Sequence, residues 1–408
     1  MKILSSIAST VSGLLPFAGA ALLLRQRLSG NPAQFTDLSD LETYLEMLVK
    51  KGTPPGLTLA VMRGNETVYT RGFGYADGPN RVPAEVGTVY RWWSVTKIVT
   101  AIAIMQLSEQ GLLDIDAPVS EILPYFEMRY RNEGDLPVTV RHLLNHSSGM
   151  PDNVPEVMGW MHLVGEERPD QTTLLQHVLP NYTKLKFSPG HHSVYTNVGY
   201  MVLGAIVERV SGLTYEEYVK ERILQPLDMS QTSFLFTPEM IAHAAAGSHP
   251  LVNIQTVLLP VIYGRRLSGF VRQTWRGRLW FNRFYPNSDP PTGLIGPAGE
   301  MARLGAIFLN GGEWQGNRIL SHESVRVMME DSWVPVKGFG QTDAPLQGLG
   351  WEVRSHDHDY ILMHGGGGPG FGCAIHLYPD RKLVLVVMAN DTTYDSPGIL
   401  DLAAKLDW

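Results

Sequence analysis

The sequence predicts a mixed α/β (α+β) chain, and three observations carry that expectation. Runs of β-forming residues near both ends, broken by short polar or glycine-rich turns, read as antiparallel strand pairs. Segments at 37–51, 98–109 and 199–210 carry helical apolar spacing. The stretch between the two strand-rich ends reads as helical pieces punctuated by prolines. With 408 residues, 44% hydrophobic and 18% charged, the chain can bury a large core. A net charge of −7 lacks the basic surface on which nucleic-acid affinity rests, so no nucleic-acid partner is expected. The single cysteine, Cys373, excludes an internal disulfide and a cysteine-built zinc site.

Taken in order, residues 3–24 carry no charge, follow Lys2 and precede Arg25 and Arg27, which suits a targeting or anchoring segment over about residues 1–30. Four serines, Thr10, two glycines and Pro16 dilute it relative to a spanning helix. Gly13 to Leu24 resembles the apolar part of a signal peptide, and Ala18-Gly19-Ala20 fits a cleavage site. The lack of acids before Asp37 also permits a transit peptide. A membrane-associated or exported protein is therefore expected. Asp37 to Lys51 then forms an amphipathic helix. Gly56 to Met62 and Val68 to Tyr75 form strands joined by the turn Arg63-Gly64-Asn65.

Tyr90 to Glu109 holds Ser94 and Lys97. Residues three apart on a helix face have Cβ atoms about 5–6 Å apart, so the ammonium can reach the hydroxyl. Apolar residues at 98, 99, 102, 104 and 105 bury the helix, which stops at Gly111. Ser94 then stands at its N-terminal end, where free N–H groups favour negative charge. A lysine in so dry a place loses affinity for its proton and can act as a base. A surface Ser and Lys at a helix start is the plainer alternative, and only the rest of the chain separates the two.

From Asp116 to about Asn181 the pattern is mostly helical, with Val138 to Asn145 leading into the loop His146 to Pro151. His142 and His146 are four apart, as in zinc proteases, but no Glu follows His142 and no third ligand stands at a recognisable spacing, so the pair reads as structural and no metal is expected. His322-Glu323 has no histidine at 326, and His356 to Asp359 reads as a solvated hairpin tip. In Phe187 to Gly212, Tyr195-Thr196-Asn197 sits in the loop before a buried helix from Gly199 to Val210. A phenol there could point into a cleft, where a lysine ammonium would lower its pKa from about 10 and make it a base. A tyrosine that caps a turn fits equally.

Two stretches remain. Leu251 to Tyr263 has no charge, and Gly264 to Phe284 carries six arginines, no acids and Phe270, Trp275, Trp280 and Phe281. That composition suits an amphipathic surface on anionic lipid, or a lid whose aromatics pack on a cleft while its arginines pair with acids elsewhere. His364 to Gly370 joins the strands Tyr360 to Met363 and Phe371 to Tyr378 through an open connection without side chains. No helix or Lys-Ser/Thr follows these glycines, which rules out a phosphate loop. Glycines at a strand end instead let a substrate lie against backbone N–H groups.

Together these residues resemble the penicillin-recognising serine hydrolases: class C β-lactamases, D-alanyl-D-alanine carboxypeptidases, family VIII carboxylesterases and related peptidases. The three motifs stand in order as Ser94-Val95-Thr96-Lys97, Tyr195-Thr196-Asn197 and His364-Gly365-Gly366. Flanking pieces occur in His142 to Pro151, Phe187 to Gly190 and Ile295 to Arg303, and the likeness runs from about residue 37 to the C-terminus. The resemblance implies a β-lactamase/transpeptidase-like domain over 31–408: an antiparallel sheet flanked by helices from about 37–115 and 295–408, beside a helical part with an insertion from about 116–294. It implies that Ser94 attacks an acyl carbonyl, that Lys97 takes or relays its proton, and that Tyr195 serves as general base and later protonates the leaving group. Asn197 would orient Lys97 and the substrate. His364, Gly365 and Gly366 would line the substrate, and the N–H groups of Ser94 and Gly367 would form the oxyanion hole. No metal or organic cofactor is implied. His364 and Gly365 replace the Lys and Thr that hold an antibiotic's carboxylate, which points to ester or peptide/amide hydrolysis of a small-molecule or peptide acyl substrate, with a class C-type β-lactamase as alternative. A penicillin-binding sensor or non-catalytic scaffold with little turnover is the rival of another class.

Overall fold

The computed structural model describes residues 37–151, 161–253, 256–257, 259–260, 264–337, 345–356 and 359–408. The charge-free opening segment and the tip at 357–358 lie outside them, as does part of the apolar run 251–263. Helix α1 (Leu38–Lys51) starts where Asp37 accepts the Asp40 N–H and ends at Gly52 in left-handed backbone. Strand β1 (Gly56–Arg63) turns at Gly64 into β2 (Glu66–Asp77), and a short β3 (Val82–Pro83) pairs with β2. The C-terminal third adds β4 (Val334–Pro335), β5 (Leu346–Gln347), β6 (Glu352–His356), β7 (Asp359–Gly368), β8 (Phe371–Tyr378) and β9 (Leu383–Ala389). These form one nine-stranded sheet in the order β4-β5-β6-β7-β8-β9-β1-β2-β3. Every pairing in it is antiparallel, and β9 beside β1 closes the two ends of the chain into one layer.

Side-chain alternation assigns the two faces. Leu57, Leu59 and Val61 of β1 pack with Leu383, Leu385 and Val387 of β9 under α1 and the C-terminal helix Ser396–Ala403. Ala60 and Met62 face the other side, with Ile375, Leu377, Val384 and Val386, under the helix Ala298–Leu309. That second core continues into α2 (Thr96–Glu109) and α3 (Asn197–Ser211). Every residue of α2 from Thr96 to Leu107 is buried, so its polar members must find partners inside the protein. Thr100 does so by donating to the Pro290 carbonyl, and Gln106 by donating to the carbonyls of Arg222 and Ile319.

Two expectations need correction. Between 116 and 181 the described helices are short, Val119–Ile122, Val140–Leu144 and Gln171–Val178, because Pro118, Pro124, Pro137, Pro151 and Pro169 keep interrupting the ladder. The glycines after His364 are no open connection: Gly365 to Gly368 complete β7 in register with Phe371 to Ala374, and the turn is left to Pro369-Gly370. The arginine-rich run is a hairpin, Val271–Trp275 with Arg278–Phe281, paired to Ser248–Pro250. Phe270, Trp280, Phe281 and Phe284 are buried in it. No helix among the described residues is long and apolar enough to cross a membrane.

Candidate active site

Ser94 sits in a 3-10 turn, Trp93–Val95, that runs into α2. The turn is sharp because Trp93 has φ of +47°, an uncommon conformation for an aromatic residue. Burial of its indole against Phe284 stabilises it, with ring centroids 6.1 Å apart. Gly366 and Gly368 of β7 supply the opposite wall. A Cβ at Gly366 would come within 2.1 Å of the Trp92 carbonyl oxygen, and one at Gly368 within 2.5 Å of the Trp93 ring. Glycine is required there because the strand lies directly on the Ser94 turn. Gly365 and Gly367 alternate to the other side, where a Cβ would meet nothing within 4 Å. Cys373, opposite Gly366, donates its thiol proton to the Trp92 carbonyl at 3.1 Å. Burial pushes that thiol upward, so it remains protonated.

Lys97 is fully buried, one helical step from Ser94. Its Nζ donates to Ser94 Oγ at 3.3 Å, to Asn197 Oδ1 at 2.8 Å and to the Pro291 carbonyl at 3.0 Å. The same ammonium stands 4.7 Å from the centre of the Tyr195 ring and 5.5 Å from that of Tyr200. Tyr195-Thr196-Asn197 thus lies against Lys97, and it does so at a helix start. Thr196 caps α3 by accepting the Gly199 N–H, and Asn197 is the first helical residue. The helix begins two residues before the expected Gly199, because the cap is a side chain and apolar spacing does not reveal it.

His364 completes the enclosure. Its Nδ1 donates to the Gly365 carbonyl at 2.8 Å, which leaves Nε2 as a buried bare acceptor without a partner among the described residues. Burial, and then the charge of Lys97, hold its pKa down at about 3, against a smaller upward pull from the Gly365 carbonyl. The imidazole is therefore neutral at physiological pH. His146 is also buried and pushed well below the ordinary histidine value, by burial first and then by Lys97 and His364.

Spacing did not disclose the Pro291 carbonyl. It comes from the turn Asp289–Thr292, whose Asp289 carboxylate accepts from Arg168 at 2.8 Å and whose Asp289 N–H donates to Gln171. The sequence signal was the Asp-Pro-Pro run itself, a rigid helix start. His142 and His146 share no helix face: the helix ends at Leu144, and His146 turns away with φ of +57°. His142 Nδ1 accepts the Thr139 N–H in a capping box.

The sequence pattern of the family described as Beta-lactamase matches residues 41–407. The chain is 28% identical over 378 residues to penicillin-binding protein 4* of Bacillus subtilis (strain 168), covering 87% of this chain and 73% of that one. The structure resembles that of the octameric penicillin-binding protein homologue from Pyrococcus abyssi, with a TM-score of 0.70, 26% identity, and coverage of 90% of this chain and 77% of that one. It also shares the fold of D-amino acid amidase from Ochrobactrum anthropi SV3, solved with L-phenylalanine, at a TM-score of 0.71 and 21% identity over 90% of this chain and 98% of that one.

Proposed function

The chain belongs to the beta-lactamase family, and we propose that it hydrolyses an ester or amide of a small acyl donor through an acyl group carried on Ser94. The observation that supports this most is the contact of the fully buried Lys97, through Nζ, with Oγ of the half-buried Ser94. In this reading Lys97 hands one of its protons on to Tyr195 and takes the hydroxyl proton in its place as Ser94 attacks, so that it relays the proton. Tyr195, 4.7 Å from the same ammonium, passes a proton to the leaving group. Asn197 and the Pro291 carbonyl hold Lys97 in reach. The N–H groups of Ser94 and Gly367 are the proposed oxyanion donors; a donor of this kind is worth about 3–4 kcal/mol when removed.

The substrate class follows from the third motif. A neutral His364 and a Gly365 without a hydroxyl offer little to a substrate carboxylate, which favours esters and amides that lack one. The amidase likeness makes D-amino-acid amides part of the test. The kcat/KM values for short-chain aryl esters, D-phenylalanine amide and a cephalosporin are compared on one preparation, beside Ser94→Ala. Ester or amide turnover that exceeds the cephalosporin value and disappears in Ser94→Ala supports the proposal. A cephalosporin value above both replaces it with a β-lactamase, and acylation without turnover replaces it with a sensor.

Membrane attachment through residues 3–24 and the run 264–284 is a separate proposal. The run supports it little: Arg272 grips Asp77 at 2.7 and 2.8 Å, and Arg278 lies 2.6 Å from Asp391. Flotation with anionic liposomes of the full chain, and of one beginning at residue 31, decides it. Full-length protein that stays with the soluble fraction at low salt ends it.

A further inference from the structure

Tyr195 precedes the cap of α3, in chain that no helix ladder holds. Its backbone is nevertheless gripped on both sides by one residue. The carbonyl of His146 accepts the Val194 N–H at 3.0 Å, and His146 Nδ1 accepts the Thr196 N–H at 3.2 Å. The imidazole lies against the Tyr195 ring, with centroids 4.4 Å apart and planes tilted by 34°. We infer that His146 is the positioning residue for Tyr195, a role that rests on the hydrolase reading above and adds to it the part that fixes the general acid/base in place.

The grip has its own foundation. His146 is 1% exposed. Its N–H donates to the Leu143 carbonyl at 3.3 Å, and its backbone is left-handed, with φ of +57°. It also meets the ring of Tyr200 at 5.0 Å, and the Tyr200 hydroxyl donates to the Leu144 carbonyl at 2.8 Å. The loop 144–146 and the first turn of α3 are therefore locked to each other around Tyr195.

The arrangement requires one protonation state. A ring nitrogen that accepts a backbone N–H carries no proton, so the hydrogen of His146 is on Nε2 and the imidazole is neutral. The groups that face it are Lys97 from α2, His364 from β7, and Tyr195 and Tyr200 from the α3 side. Lys97 adds a positive charge that disfavours a second proton, as does burial. A doubly protonated ring would donate at Nδ1 and release Thr196. Plain core packing would need only the ring's volume, and this difference makes the role testable.

Asparagine tolerates left-handed backbone and can place Oδ1 where Nδ1 now sits, whereas leucine supplies bulk without an acceptor. With the best ester or amide substrate, His146→Leu is expected to lose roughly 100-fold in kcat with KM changed by less than about threefold, the scale of a misplacement near 1 Å. His146→Asn is expected to recover at least about tenfold of that loss. A Leu variant with wild-type kcat, or an Asn variant no better than Leu, overturns the proposal. A substrate-free measurement stands beside it: nitrogen NMR of histidine-labelled wild type, with His146 assigned by the signal absent from His146→Asn or, should that variant not fold, by the signal most perturbed in Tyr195→Phe. A neutral ring protonated on Nε2 from pH 5.5 to 8 is expected. An Nδ1-protonated ring, or titration between pH 6 and 7, overturns the grip. A protein that hydrolyses none of the substrates defeats the hydrolase reading and leaves this signal to be judged on its own.

Discussion

Lys97 and Arg278 are both buried cations, and their oxygen partners differ. Lys97 donates to a hydroxyl, a side-chain amide and a backbone carbonyl. Arg278 lies 2.6 Å from the buried Asp391 carboxylate, and also donates to Ser248 Oγ and the Gly52 carbonyl, each at 3.0 Å. A cation matched to a carboxylate has its proton fixed by charge, and the pair ties one segment to another. A lysine used in proton transfer needs instead to be held within reach of the hydroxyl, which the Asn197 amide oxygen and the Pro291 carbonyl do for Lys97. In the proposed mechanism the Lys97 site performs chemistry with its cation, whereas Arg278 uses its cation to fasten a hairpin. The same logic applies one residue pair over, where Arg272 closes bidentately on Asp77.

The contrast makes opposite demands of equivalent changes. Lys97→Met is expected to lower kcat/KM by roughly 1,000-fold, within the range for losing a general base, while the urea midpoint moves little. Arg278→Met is expected to keep activity per folded molecule within about threefold, the contrast with the loss of a general base. An active Lys97→Met protein would erase the distinction between the two sites. Next in size is Asp391→Ala, which strands Arg278 in the interior. A loss of about 3–5 kcal/mol in urea unfolding is expected, and a loss below about 1 kcal/mol would mean the pair is no better than a surface bridge.

Acid sharpens the comparison in a third way. His146, His249 and His364 all have folded-state pKa values depressed by burial, the last two to about 3. Below pH 6.5 the unfolded chain binds protons that the folded chain refuses, so stability falls as pH drops, by up to about 1.4 kcal/mol per pH unit for each such histidine. His364→Gln should remove one of these contributions. A slope between pH 6 and 4.5 that matches wild type would show that His364 takes up its proton in the folded state. The smallest effect belongs to Arg276→Gln, an exposed guanidinium 4.5 Å above the Trp275 ring; less than about 1 kcal/mol is expected from thermal unfolding.

What could be read from residues alone follows the range of the interactions involved. Ser94 and Lys97 meet because they are three positions apart, and the β1–β2 hairpin forms because Gly64 permits its turn, so both were legible. The Pro291 carbonyl that receives Lys97 is 194 residues away, and Asp391, which answers Arg278, is also far along the chain from it. Composition could count arginines between 264 and 284 without showing where their acids were. The glycines of β7 misled for a related reason: alternation sends Gly366 and Gly368 against Trp92 and Trp93, a contact visible only once the strand is laid on the turn. Helix content between 116 and 181 was overread because apolar spacing survives proline interruptions that the backbone does not.

The most direct measurement is the mass of the intact protein after brief treatment with a fluorophosphonate and, separately, with benzylpenicillin, followed by mapping of the modified peptide. A single adduct on the peptide that contains Ser94, absent from Ser94→Ala and strongly slowed in Lys97→Met, is the predicted result. Labelling that persists undiminished in Ser94→Ala, or that maps to another residue, would contradict the assignment of the nucleophile and with it the mechanism built on Lys97.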